Sequence, residues 1–289
     1  MIKSRSQRIG DGVVVFFCLL LILICLLPLV NILVRSLSSP EALIKNKVWL
    51  WPVGLNLTAY TAVLSDSRYT WSLLWTAMMT VLGTVISLIM TSLCAYPLIY
   101  PNLKGKRVIN AFIILTMYFS AGTIPTYLLI KDLGLLNNPL VLVLPYCLSV
   151  FNMIIMRSFF YGIPDSLRES AEIDGAGPIR VLVGIYLPLS TPVIATLALF
   201  YAVGRWNGYS DALMFISSKF RQYWPIQLLL YQIMNSSQGI DATQMESAPG
   251  LADTIKAATV MFATIPILCV YPWLQKYFIS GVTLGAEKG

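Results

Sequence analysis

The sequence predicts an all-α integral membrane protein with six transmembrane helices, and three observations carry that prediction. Of the 289 residues, 57% are hydrophobic and only 11% are charged, whereas a soluble globular domain carries about 25% charged residues. The mean hydropathy is +0.74. Six mostly apolar stretches, at 13–33, 73–96, 108–130, 140–160, 192–216 and 257–278, each reach the roughly 20 residues that a helix needs to cross a bilayer core.

The first stretch, "VVVFFCLLLILICLLPLVNILV", follows Lys3, Arg5 and Arg8 and so shares the charge order of a signal peptide. It is longer than the usual apolar region of such a peptide and lacks a small-x-small cleavage site, so it reads as a retained helix. The second and third stretches are joined by "PNLKGKR", whose Lys104, Lys106 and Arg107 place that turn in the cytoplasm by the positive-inside rule. Both termini then lie in the cytoplasm, as does the loop 162–191 between the fourth and fifth stretches. The longer loops, 35–72 and 217–256, fall outside. In the second of these, "YWPIQLLLYQIM" reads either as an amphipathic helix on the outer membrane face or as a packed loop. "SSQGIDATQMESAPG" beyond it is polar and turn-rich. With no internal repeat, 1–289 reads as one integral domain.

Composition also excludes functions. The formal charge of +7 reads as basic anchors of cytoplasmic loops, not as a nucleic-acid surface. There is no histidine, the commonest metal ligand and general base. Cys18, Cys25, Cys94, Cys147 and Cys269 all sit in apolar runs without C-x-x-C spacing, so they read as small buried hydrophobes. No metal site is expected. A phosphate-binding G-x-x-x-x-G-K-[ST] loop is missing, since Gly105-Lys106 is followed by Arg107. "GAGPIR" carries Arg180 where a dinucleotide fingerprint needs its third glycine. The chain is therefore expected to bind no cofactor and to carry no catalytic residues.

Ionisable residues at membrane depth are expensive and mark functional positions by default. The fifth stretch contains "FYAVGRWNGYSDALMFI". At ~1.5 Å per residue from Thr191, Arg205 lies about 20 Å from the cytoplasmic end. On one continuous helix, Arg205 and Tyr209 share a face and Asn207 and Asp211 share another. Two readings fit: a polar cavity, or an internal Arg–Asp network with packing through Gly204-x-x-x-Gly208. Asn152 and Tyr118 in neighbouring stretches are further cavity candidates.

The loop 162–191 holds "RESAEIDGAGPIR". Ser166 and Glu169 have capping-box spacing, so a short helix is expected over 167–174. Gly175 suits a left-handed stop, and Pro178 suits the first turn of a second helix, "IRVLVGIYL", which runs into Pro188. Small residues at Ser170, Ala171 and Ala176 let another surface approach the backbone, and Glu169, Glu172 and Asp174 offer charge to a cationic partner. A docking element and an ordinary well-capped loop both fit this pattern.

The run Glu169, Ser170, Ala171, Glu172, Ile173, Asp174, Gly175, Ala176, followed by Ile185, Leu187 and Pro188, resembles the EAA loop of ABC importer permeases. Ser170 replaces the signature's first alanine, small for small. The ending "YPWLQKYFISGVTLGAEKG" is similar to that of carbohydrate-importer permeases of the maltose-type, oligosaccharide branch, and the whole resembles the shorter, second permease of a heterodimeric pair. The resemblance implies that 167–174 is a coupling helix seated in a groove of an ATPase subunit. Its contacts would be Leu167, Glu169, Ser170, Ala171, Asp174, Gly175 and Ala176, with Glu169 paired to a basic residue and Gly175 holding the bend. In the tail, Gly285, Glu287 and Lys288 would reach toward the ATPase interface.

The implied partners are a second homologous permease, an ATPase dimer that carries ATP and Mg, an extracytoplasmic solute-binding protein and the lipid bilayer. The implied location is the bacterial cytoplasmic membrane. In a sugar path, Trp206 or Tyr209 would stack on pyranose rings, and Arg205 and Asn207 would bond hydroxyls or an acidic group. Asp211, Asn152 and Tyr118 would complete it. The alternative is a stand-alone secondary transporter with Arg205 and Asp211 as coupling charges, against which the loop motif argues.

Overall fold

The computed structural model describes residues 5–235 and 250–286. Among them there are helices and no strand. In chain order the α-helices are α1 (Arg5–Ser36), α2 (Pro40–Ile44), α3 (Thr58–Ser65), α4 (Ser67–Ala95), α5 (Lys106–Tyr118) and α6 (Thr123–Asp132). Then come α7 (Val150–Tyr161), α8 (Asp165–Ile173), α9 (Pro178–Leu189), α10 (Thr191–Asn207), α11 (Ser210–Phe215), α12 (Ile226–Asn235) and α13 (Leu251–Ala286). Contacts fall into two compact units, Met1–Thr70 with Leu230–Ile265 and Trp71–Leu229 with Pro266–Gly289. Among the described residues, three helices are long and apolar enough to cross a membrane, or up to five if each of two bent pairs is one span.

In the first unit, α1 is apolar around its whole circumference, and its most hydropathic window is 0% buried against the rest of the chain. A helix of that kind requires lipid or another chain around it. Its C-terminal end is tied to the loop that follows. The Ser38 hydroxyl donates to Val34 O at 2.7 Å and accepts from Val53 N–H at 3.2 Å, while Asn31 Nδ2 donates to Trp49 O at 2.8 Å. Ser36 and Tyr60 share a 2.7 Å bond that fixes α3.

The second unit has two apolar cores. One gathers Tyr96, Met153, Met156, Phe160, Tyr186 and Leu197 from the end of α4 and from α7, α9 and α10. Its rings meet edge-on, with Tyr96–Tyr186 at 5.1 Å and Phe160–Tyr186 at 5.3 Å between centroids, the arrangement that ring quadrupoles favour. The other core joins Ile130, Val141, Phe215, Trp224 and Leu228. The segment "YWPIQLLLYQIM" packs here: Trp224 Nε1 donates to Ile216 O at 3.1 Å, and Ile226 N–H donates to the Thr76 hydroxyl at 2.9 Å. It is a helix, but the apolar face at its start is buried in protein.

Three stretches expected to be continuous helices are interrupted. Over 108–130, α5 and α6 meet at 115°, because Gly122 takes a φ of +88° that leaves the helical region. Over 140–160, only Val150–Tyr161 is α-helical. Pro145 has no N–H to donate and disfavours helix at Leu144, and the Ser149 hydroxyl caps α7 by accepting from Asn152 N–H at 3.4 Å. Over 192–216, α10 stops at Asn207 and Gly208 is extended, with φ −72° and ψ 126°. The expected pairings of Arg205 with Tyr209 and of Asn207 with Asp211 therefore do not form helix faces.

The loop helix also differs from expectation. It starts at Asp165, with Pro164 as N-cap and no side-chain capping bond. The Ser166–Glu169 capping box is absent because Ser166 already lies inside the first turn. The C-terminal stop follows the expectation: Gly175 has φ +81°. Ala176 N–H donates to Ala171 O at 2.9 Å and Gly175 N–H to Glu172 O at 3.1 Å, the two bonds of a Schellman stop. Pro178 opens α9. Within it a π-turn at Leu182–Tyr186 aims Tyr186 into the core. The chain then bends by 85° into α10, between Pro188 and Pro192.

Candidate functional site

Two places gather polar side chains. At the first, α8 is anchored through Arg168, whose side chain is 7% exposed. Its guanidinium lies 3.0 Å from Asp165 Oδ1 and 3.8 Å from the carboxylates of Glu169 and Glu172, and it stacks on the Tyr100 ring at 4.8 Å. The Tyr100 hydroxyl donates to Glu172 Oε1 at 3.2 Å and shares a 2.7 Å bond with the Tyr96 hydroxyl. Tyr96 in turn packs on Tyr186 and Phe160. A continuous path of side chains thus runs from α8 to the ends of α4, α7 and α9. The spacing of Asp165, Arg168 and Glu172 is a helical i, i+3, i+7 charge pattern legible in the sequence, although Arg168 there counts only as one more cytoplasmic cation.

The opposite face of α8 is open. Ile173 is 86% exposed and Leu167 44%, Ile179 at the start of α9 is 63% exposed, and a Cβ added at Gly175 or Gly177 would meet nothing within 4 Å. Of the expected contact set, Leu167, Glu169, Ser170, Asp174 and Gly175 face outward, while Ala171 and Ala176 pack against the first core. Gly285 lies in α13; Glu287 and Lys288 lie outside the described residues.

The second place is a cavity of about 910 Å³ in the second unit, lined by residues that include Trp75, Tyr146, Phe151, Asn152, Arg205 and Asp211. Arg205 is bound by protein. Its Nη1 donates to Leu142 O at 2.9 Å, and its Nη2 donates to Ser87 Oγ at 2.9 Å and to Tyr146 O at 3.3 Å. A turn earlier on α10, the Tyr201 hydroxyl shares a 2.7 Å bond with Thr91 Oγ1 and accepts from Ser149 N–H at 3.1 Å. Gly83, Ser87 and Thr91 recur every fourth residue on α4, opposite Arg205 and Tyr201 on α10. This ladder holds the irregular segment before α7 against both helices. Asp211 accepts from the Tyr146 phenol, so Tyr146 is held at its backbone and at its ring.

Of the candidates read from sequence, Arg205, Asp211 and Asn152 line the cavity together. Trp206 is 8% exposed and turned away from it. Asn207 spends its amide on Val203 O at 3.0 Å in its own helix, and Tyr209 and the 80% exposed Tyr118 do not line the cavity. Sequence reasoning missed Tyr146, Tyr201 and the α4 stripe. The Gly83-x-x-x-Ser87-x-x-x-Thr91 spacing inside an apolar run was the available signal.

Long apolar helices, an outward-facing short helix, and a largely apolar, aromatic cavity with a few polar groups fit a helical membrane permease. The chain belongs to the family of binding-protein-dependent transport system inner membrane components, whose pattern it matches over residues 83–284. It is 41% identical over 287 residues to the polygalacturonan/rhamnogalacturonan transport system permease protein YtcP of Bacillus subtilis, covering 98% of this chain and 100% of that one. It is 38% identical to the B. subtilis protein LplC, over 100% of this chain and 98% of the relative. Among solved structures, a chain of a bacterial ABC transporter involved in importing the acidic polysaccharide alginate matches with a TM-score of 0.89 at 35% identity, covering 96% of this chain and 99% of that chain.

Proposed function

We propose that this chain is a permease subunit of a binding-protein-dependent ABC importer that carries an oligosaccharide or polysaccharide fragment inward. Family membership and the carbohydrate transport of its relatives support the class. In this reading the chain crosses the membrane six times, counting broken helices, with both termini and α8 in the cytoplasm. It pairs with a second permease and receives saccharide from a solute-binding protein outside. It binds no cofactor and performs no catalysis; ATP and Mg reside on a partner ATPase dimer.

The observation that carries the mechanical part is α8 itself. Its inner face is locked to the core through Arg168 and Tyr100, while its outer face presents Ile173 at 86% exposure. A force applied to that outer face passes through rings packed edge to face, not through a compliant loop. In this mechanism ATPase closure moves α8, and the Tyr100–Tyr96–Tyr186 contacts carry the movement into the ends of α4, α7 and α9. The cavity behind the ladder then switches its access.

Cysteine cross-linking tests this reading. An Ile173→Cys variant in the assembled transporter, labelled with a maleimide that carries a photoreactive aryl azide and then illuminated, is expected to give an adduct with the ATPase subunit that the unsubstituted transporter lacks. Free labelling of the introduced thiol by a soluble maleimide, with no such adduct, would contradict the docking role.

A further inference from the structure

We infer that the segment 45–57, which follows α2, is an interfacial anchor. Trp49 and Trp51 lie in the headgroup region of the bilayer, and Arg35, Lys45 and Lys47 bind the phosphates of anionic phospholipids there. The inference requires of the reading above only that α1 crosses the membrane.

The depth of the segment carries the proposal. The apolar part of α1, Gly10–Ser36, has 27 residues and is therefore about 40 Å long, which spans the hydrocarbon core and part of both headgroup layers. Asn31 Nδ2 donates to Trp49 O at 2.8 Å, and Asn31 stands about 8 Å before the helix end at Ser36. Trp49 is thus held level with the boundary between acyl chains and headgroups, where indole rings concentrate.

The segment is tied down along its length. Ser39 N–H donates to Val53 O at 3.0 Å and Asn56 N–H to Leu37 O at 2.9 Å, while Val53 N–H donates to the Ser38 hydroxyl at 3.2 Å. A Cβ on Gly54 would lie 2.8 Å from Ser39 Oγ. In that fixed backbone Trp49 is 73% exposed, Trp51 80% and Leu55 76%. Large apolar side chains held open together mark a contact with something outside the chain.

The charges beside them choose the contact. Arg35, Lys45 and Lys47 are exposed and make no ion pair among the described residues. Glu41 is the acidic residue of the stretch 35–57, so the cations prevail. Lysine is depleted in the buried middle of protein–protein contacts. Indoles beside cations instead suit a surface with acyl chains on one side and phosphates on the other.

The test uses the complete transporter reconstituted in vesicles. Flotation is checked first, because a chain that did not float would contradict the membrane reading itself. The emission lost in Trp49→Phe/Trp51→Phe is the signal of these two rings, and both substitutions keep the Trp49 carbonyl that binds Asn31. Phosphatidylcholine brominated near the head of its acyl chains is expected to quench that signal severalfold more than acrylamide present on both sides of the membrane. Brominated phosphatidylglycerol is expected to compete for the rings about fivefold better than the phosphatidylcholine. Arg35→Gln/Lys45→Gln/Lys47→Gln should bring the two lipids to parity. Quenching by acrylamide and not by lipid would leave the rings in water and overturn the proposal. Escape from both quenchers would bury them against another protein chain and overturn it equally. A phosphatidylglycerol preference that is absent, or that survives loss of the three cations, would overturn the assignment of the headgroup.

Discussion

Arg205 on α10 lies directly against Gly83 on α4: a Cβ added at Gly83 would sit 2.6 Å from Arg205 Nε and 2.7 Å from its Cδ and Cζ. The stem of a flexible side chain usually yields at small cost. Here it cannot swing freely, because Leu142, Ser87 and Tyr146 hold the guanidinium beyond it. Gly83→Ala gains about 1 kcal/mol in helix propensity and loses about 1–3 kcal/mol to overpacking, more if a bond to Arg205 breaks. A lower thermal midpoint of the detergent-solubilised transporter is the expected outcome, and Gly83→Ser should lower it further.

The Tyr201 hydroxyl serves Thr91 and Ser149 at once. Tyr201→Phe leaves the buried Thr91 hydroxyl and the Ser149 N–H short of a partner, at about 1–3 kcal/mol. In a double-mutant cycle with Thr91→Val, the second substitution should cost less than it does alone, because the two side chains share one bond. Unfolding in a denaturant series reads the coupling.

Arg168 answers three carboxylates and a ring. Those carboxylates are 68%, 64% and 42% exposed, so solvent relieves them when the partner is lost. Arg168→Met should cost only about 1–2 kcal/mol. Its larger effect is expected on coupling: ATP hydrolysis continues while saccharide uptake falls. Arg168→Lys keeps the charge but loses the planar stack on Tyr100, and is expected to fall between Arg168→Met and the unsubstituted chain. The ratio of ATP hydrolysed to saccharide accumulated measures this.

Gly175 ends α8 at φ +81°, where a β-branched residue is strained and asparagine is tolerated. Nothing blocks a side chain there sterically, so the substitution series isolates backbone conformation. Gly175→Asn should couple nearly as well as glycine. Gly175→Val should insert and assemble yet waste ATP. Equal coupling in both variants would show that the angle at this turn does not matter.

Much of this arrangement was legible locally. Long apolar runs marked α1, α4 and α13, and Gly175 with Pro178 marked the turn between α8 and α9. The breaks within 108–130, 140–160 and 192–216 were written as Gly122, Pro145 and Asn207-Gly208, but hydropathy counts side chains and is blind to φ and ψ. Of the ladder, only the small-residue spacing on α4 was legible, not its partners. Arg205 and Ser87 stand 118 residues apart, and only the antiparallel pairing of α4 with α10 brings them together. The same limit applied to Arg168: its carboxylates lie on its own helix, whereas Tyr100, which makes it an anchor, comes from the loop after α4. The sequence left Arg205 open between a cavity and an internal network, because the carbonyls that hold it come into place only where the helix before α7 is broken.

The central claim is that motion imposed on α8 by an ATP-consuming partner drives saccharide across the membrane. The most direct measurement is saccharide accumulation in sealed vesicles containing the full transporter, with ionophores present to collapse every ion gradient. Accumulation that requires ATP, persists with ionophores and disappears in Gly175→Val is the predicted result. Accumulation that proceeds without ATP and collapses with the ion gradient would contradict the account.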